Sequence, residues 1–202
     1  MPTPRPPDTP PPQFHPLPDL PAGAGASRRV GFELEFGGLA PDMAAEIVAA
    51  TLGGCLTALS ASEWRVEGIR AGGEAIGPVE VYLDSKFRPE GAGRAAEAGV
   101  AVARQVVPIE IVTPPLPQAA LPEIDRLVPA LRAAGAKGSR SHVVHGFGLH
   151  LNLSLADPET GRDLVPVTRA FALLEPWLRA RDPLDLSRRV LPFTRPFPDS
   201  FV

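Results

Sequence analysis

Apolar and polar residues alternate through "RRVGFELEFG" (28–37). On an extended chain Val30, Phe32, Leu34 and Phe36 share one side, and Glu33 and Glu35 share the other. This predicts a strand with one face in a core and two carboxylates on its outer face. Pro41 and Asp42 then open a helix whose Met43, Ile47, Val48 and Leu52 recur at helical spacing until Gly53-Gly54 ends it. Alternation returns in "EWRVEGI" (63–69) and "VEVYLDS" (79–85), two strands joined by the turn-forming "RAGGEAIGP". The Ala-rich stretch 92–105 predicts a helix weakened by Gly99. "VVPIEIVTPPLP" (106–117) reads as a strand closed by prolines. Residues 118–134 read as a helix with Leu121, Ile124, Leu127, Val128 and Leu131 on one face. "GFGLHLNLSL" (146–155) is a further alternating strand. A last helix after Asp163 aligns Leu164, Val167, Phe171, Leu174 and Leu178, with Pro176 placed to interrupt or kink it. The end, "RRVLPFTRPFPDSFV" (188–202), reads as an extended wrap, and no internal repeat is present.

Strands and helices are mixed, and most strands carry a single apolar face. The expected class is therefore α+β: a mostly antiparallel sheet with helices packed on one face. The other face is left to hold a site, and the polar residues of several strands share it.

Composition refines this layout. Of 26 prolines, ten fall in the first 21 residues, so residues 1–27 are expected to form a Pro-rich, extended or disordered arm and residues 28–202 one domain. A net charge of −3 gives no basic footprint for nucleic acid and no polybasic membrane surface. No apolar run approaches the roughly 18 residues of a membrane span, and the N-terminus lacks a signal-peptide pattern. The single Cys55 excludes an internal disulfide and a Cys-based metal cluster. It fits a reducing compartment, so a cytoplasmic enzyme or binding domain is expected.

The candidate chemistry lies on the polar side of the strands. His150, Asn152 and Ser154 alternate with Leu149, Leu151 and Leu153; Glu110 stands between Ile109 and Ile111; Asp84 closes an apolar strand. Each alone is equally well a solvated histidine, a surface glutamate or a turn aspartate. Together with Glu33 and Glu35 they place oxygen or imidazole donors from four strands on one face. Carboxylates gathered this way repel each other unless cations neutralise them. Four carboxylates and one imidazole suit Mg²⁺ or Mn²⁺ rather than a structural zinc. Several metal ions among acids usually bridge phosphates. With no Walker A loop and no GxGxxG, a nucleotide would be held through its metals. Lys86, two residues after Asp84, is within reach of a phosphate or simply solvated. His142 and His145 read as polar surface of a loop, and Trp64 and Trp177 as core residues rather than platforms for adenine.

The segments "GFELEF", "EIVTPPL" and "GLHLNLS" resemble the carboxylate–amine ligases of the glutamine synthetase and glutamate–cysteine ligase superfamily. They are most similar to its amidoligase branch. There a first strand carries Glu-x-Glu, a later strand an acid before Thr-Pro or Ser-Pro, and a further strand Gly-[Ile/Leu]-His. All three occur here in that order, over roughly residues 28–155. The resemblance implies a sheet curved into a half-funnel, a glutamine synthetase-like catalytic fold, with Mg²⁺ and ATP at its mouth. It implies an acyl phosphate made from ATP and a carboxylate, then attacked by an amine to form an amide. The partners would be a small-molecule or peptide carboxylate and an amine.

By motif Glu33, Glu35, Glu110 and His150 would hold metal. Asp84 matches an acid preceding the "EIVTPP" strand, although the intervening segment differs. Lys86, Asn152 and Ser154 would contact or orient the bound nucleotide. The family also carries acidic and Arg residues well beyond the Gly-x-His strand, whereas Arg188, Arg189 and Arg195 match no motif. A catalytic domain incomplete at its C-terminal side is therefore expected. A second reading is a non-catalytic member that binds metal or nucleotide, or an interaction module using its Pro-rich arm.

Overall fold

A computed structural model describes Phe14 and residues 28–84, 107–138, 148–155, 157, 159–181 and 195–198. The predicted helix at 92–105, Lys86, His142, His145, Arg188 and Arg189 lie outside the described residues, as does the rest of the N-terminal arm.

The first strand, β1 (Arg29–Phe36), takes the alternation as the sequence predicts: Val30, Phe32, Leu34 and Phe36 are buried, and Glu33 and Glu35 are half-buried on the other face. Helix α1 (Pro41–Leu52) follows, with proline in its first turn, where a missing N–H costs nothing. Its contact with the sheet is made by Pro41, Ala44, Ala45 and Val48, whereas Met43, expected on the apolar stripe, is exposed. Small side chains let the helix sit close to the strands, so alanines rather than the longest residues carry the packing. The helix ends at Gly53 and Gly54, both with positive φ, and a Cβ on Gly54 would lie 2.5 Å from the Glu67 carbonyl oxygen.

Strands β2 (Cys55–Ser60), β3 (Glu63–Glu67), β6 (Val79–Leu83) and β7 (Ile109–Val112) continue the sheet, every pairing antiparallel. A small hairpin, β4 (Arg70–Ala71) and β5 (Glu74–Ala75), fills the predicted turn between β3 and β6, closed by Gly72 and Gly73. Both glycines have positive φ, as a two-residue hairpin loop requires. Strand β2 has no apolar alternation and every residue in it is exposed, which is why the pattern does not reveal it.

Strand β1 occupies the interior of the sheet. It pairs with β7 on one edge and with β9 (Leu149–Leu153) on the other. Beyond β7, the short β8 (Leu116–Pro117) rejoins β1 at Arg29 and Val30. Between the Glu33–Val112 and Val30–Leu116 pairs, three residues (113–115) oppose two (31–32), so the strand bulges there. Pro114 and Pro115 have no N–H to give. Thr113 closes the gap: its N–H donates to the Phe32 carbonyl, and its hydroxyl accepts the Phe32 N–H, each at 2.9 Å.

The predicted helix at 118–134 is broken into a 3-10 turn at Gln118–Ala120, α2 (Leu121–Ile124) and α3 (Leu127–Ala133). Pro129 explains the break: in a continuous helix its ring would clash with the Asp125 carbonyl, four residues back, and the chain turns at Asp125 and Arg126. The three helices nevertheless bury Ala44, Val48, Ile124, Leu127 and Leu131 against Val30, Phe32, Leu34, Phe36, Val66, Val81, Ile109 and Ile111. The core thus lies on one face of the sheet, and the architecture is α+β with no closed barrel among the described residues.

Helix α4 (Leu164–Arg181) runs through Pro176 without ending. Its predicted stripe of Leu164, Val167, Phe171, Leu174 and Leu178 is largely exposed, and Ala172 and Glu175 are the buried positions. The Glu175 carboxylate accepts the Phe197 N–H at 2.8 Å and the Arg179 guanidinium, and Phe171 and Phe197 meet edge to face at 6.1 Å. Trp177, expected in the core, is exposed, with the Arg181 guanidinium 5.6 Å from its ring centre. Among the described residues no helix is long and apolar enough to cross a membrane.

Candidate active site

The register of the ladders decides which polar side chains become neighbours. Glu35 of β1 lies directly opposite Glu110 of β7, and Glu110 lies directly opposite Tyr82 of β6. Directly opposed side chains in antiparallel strands have Cβ atoms about 4.5–5.5 Å apart. One position along, Glu33 lies opposite Val112 on one side and His150 on the other. Asp84 follows the end of β6, shares the parity of Tyr82, and continues the pairing by donating its N–H to the Pro108 carbonyl at 3.0 Å. The non-core face therefore collects Glu33, Glu35, Glu110 and His150, with Asp84 at its β6 end.

Burial differs across the cluster. Glu110 is 7% exposed and Asp84 6%, while the side chains of Glu33 and His150 are 31% and 55% exposed. Acidic groups near one another in a partly dry setting need donors or cations. Glu33 is held by two: His150 Nδ1 lies 3.1 Å from Glu33 Oε2, and the Asn152 amide donates to Glu33 Oε1 at 2.5 Å. Asn152 thus orients Glu33. Ser154, at the end of the same strand, is engaged with the backbone, its hydroxyl accepting the Arg29 N–H at 2.8 Å.

The pattern alone does not reveal Tyr82. It lies directly opposite Glu110, and its phenol is raised well above its usual range. Burial contributes most, then the hydrogen bond to Glu110, then the charges of Glu110, Glu33 and Asp84. Three of the carboxylates picked from the sequence therefore act on one phenol. The available signal was parity in "VYLDS", where Tyr82 falls on the same side as Asp84. Arg65 of β3 shares the face and pairs with Glu80 of β6 at 2.9 Å.

The donor set is hard: carboxylate oxygens and one imidazole, with the free Cys55 exposed on β2. Such a set fits Mg²⁺ or Mn²⁺. Among the described residues no three His, Cys, Asp or Glu side chains stand close enough together to hold one ion as they are. A cavity of about 260 Å³, lined by Leu34, Phe36, Val128 and Leu131, opens on the apolar side of β1 and reaches Glu35 but none of the other candidate residues.

A family model described as "putative amidoligase enzyme" matches residues 26–202. This chain belongs to the amidoligase family. The match spans the acidic face and also the region after β9, including α4 and the 195–198 segment. No curated protein and no solved structure matches the chain. Within this amidoligase, the Glu-x-Glu segment forms the interior of β1, the acid–Thr-Pro segment forms β7 and the bulge, and the Gly-Leu-His segment forms β9. Three motifs far apart in sequence thus meet on adjacent strands.

Proposed function

We propose that this amidoligase is an ATP-dependent carboxylate–amine ligase with a glutamine synthetase-like catalytic fold, forming an amide or peptide-like bond through an acyl phosphate. The observation that carries the reading is the Glu35–Glu110 pair: two carboxylates held directly opposite each other, Glu110 buried, with Glu33 one position along. Glu33, Glu35, Asp84, Glu110 and His150 would hold Mg²⁺ or Mn²⁺. When bound, the metal would neutralise the phosphates of ATP and stabilise charge as the phosphoryl group moves to the carboxylate.

The protein's own part is positioning. The backbone ladders set which carboxylates are neighbours before any ligand arrives, and their side chains would close together around the cation. Asn152 keeps Glu33 turned toward β9. The burial of Glu110 and Asp84 lowers the local dielectric and strengthens their hold on a cation. Lys86 would reach a phosphate from the segment after Asp84. The exposed free Cys55 suits a reducing cytoplasm.

The test is release of ADP and phosphate by the full chain with Mg²⁺, across a panel of amino acids, peptides and amines. Release is expected only when a carboxylate and an amine are both present, and it is lost in Glu33→Gln and Glu35→Gln. Absence of release with every pair, together with unchanged metal binding in both variants, overturns the ligase reading. Metal binding without release would make the chain a binding member of its family.

A further inference from the structure

We infer that the cavity between β1 and α3 binds a small carboxylate with an apolar body, whose charged end is met by Arg132 and Lys137. Such binding needs neither metal nor nucleotide, so it stands or falls independently of the ligase reading above.

Leu34 and Phe36 are buried on the core face of β1, and with Val128 and Leu131 of α3 they line a cavity of about 260 Å³. Protein interiors leave few voids larger than a water molecule, so a space of this size beside a packed core is a departure. Part of the lining carries little bulk: Ala136 and Gly138 border the cavity, and a Cβ on Gly138 would meet nothing within 4 Å. Leu149 of β9, directly opposite Leu34, also lines it and is 50% exposed, so the cavity is open to an incoming ligand. An apolar cavity of about 150 Å³ holds a benzene molecule. The space here therefore takes one such ring, or a branched alkyl group, together with a short arm.

The charged lining is unbalanced. Arg132 lies in the last turn of α3, and Lys137 bridges to Gly37 just past β1; both border the cavity and both are exposed. Gly37 and Lys137 exchange backbone hydrogen bonds at 3.0 and 2.8 Å, which fixes where the lysine stands. Among the described residues neither cation has a salt-bridge partner. Glu35 is the one acid among the described lining residues, so two cations against one carboxylate leave one net positive charge. A carboxylate matches that charge better than a phosphate monoester, which carries about 1.5 to 2 negative charges. Apolar walls with a few convergent charged groups are the ordinary build of a small-molecule site.

The probe is phenylpropionate, added to the full chain without metal or ATP and followed by nuclear magnetic resonance of labelled Leu and Val methyls. It is expected to shift the methyls of Leu34, Val128, Leu131 and Leu149 saturably, and to bind more weakly as salt is raised. Phenylpropylamine has the same body with the opposite charge and is expected to leave those methyls unmoved. Arg132→Gln and Lys137→Gln change exposed side chains, so both proteins should melt as the parent does. Each is expected to bind the acid about 2- to 5-fold more weakly, and the double variant about 10-fold. The inference is overturned by the absence of a saturable shift at these methyls, by equal binding of the amine, or by parent-like affinity in the double variant.

Discussion

Glu35 and Glu110 face each other across the β1–β7 ladder, two acids in a position where opposite charges or apolar partners would be more stable. Like charges directly opposed in a sheet cost on the order of 0.2–1 kcal/mol on an open surface, and burial of one member raises the cost. Tyr82 lies opposite Glu110 on its other side, and Arg65, on the same face, is paired with Glu80. A local arrangement that runs against stability is what a site built to receive a cation looks like.

Asn152 holds Glu33 from an open face, so its removal should separate function from stability. Asn152→Ala is expected to weaken Mg²⁺ or Mn²⁺ binding by about 10-fold or more while shifting the melting temperature little. Calorimetric titration beside a thermal melt checks this. Equal losses in both would mean that the amide supports the sheet rather than the carboxylate.

Thr113 supports the sheet where two prolines interrupt it. Thr113→Val keeps the shape but leaves the buried Phe32 N–H without its side-chain acceptor, a loss of about 1–3 kcal/mol, measurable by urea unfolding. Thr113→Ser restores the acceptor and should recover most of the stability.

Tyr82 should titrate late. In metal-free folded protein, absorbance of the single tyrosinate is expected to appear well above the range of a free phenol, and near the ordinary value in denaturant. The raised value means that the folded state keeps a proton that the unfolded state releases. The stability linked to Tyr82 is therefore complete below the ordinary phenol value and is lost as pH rises through the folded one. Tyr82→Phe should remove that alkaline part of the stability profile.

Much of this was legible in the sequence. The alternation of Val30, Phe32, Leu34 and Phe36 with Glu33 and Glu35 led directly to β1, because one wet face and one dry face leave a period of two. The shared polar face of Glu33, Glu110 and His150 followed from the same parity. Other features depend on tertiary context. Parity does not give register, so neither the Glu35–Glu110 opposition nor the Glu33–His150 pair could be read before the strands were aligned. Tyr82 alternates as a half-buried aromatic would in any sheet. Strand β2 lacks a buried face, and the division of 118–134 depends on Pro129 acting on Asp125 through a helix that hydrophobic spacing alone makes continuous.

Thermal stability of the parent and Glu35→Gln, with and without Mg²⁺, tests the central claim most directly. A ligand at 100 times its dissociation constant stabilises by about 2.7 kcal/mol, so the parent should melt higher as Mg²⁺ rises. Glu35→Gln removes one of the would-be ligands and should gain little from Mg²⁺. Parallel responses of the two proteins to Mg²⁺, or no response from the parent, would contradict a cation site on this sheet face.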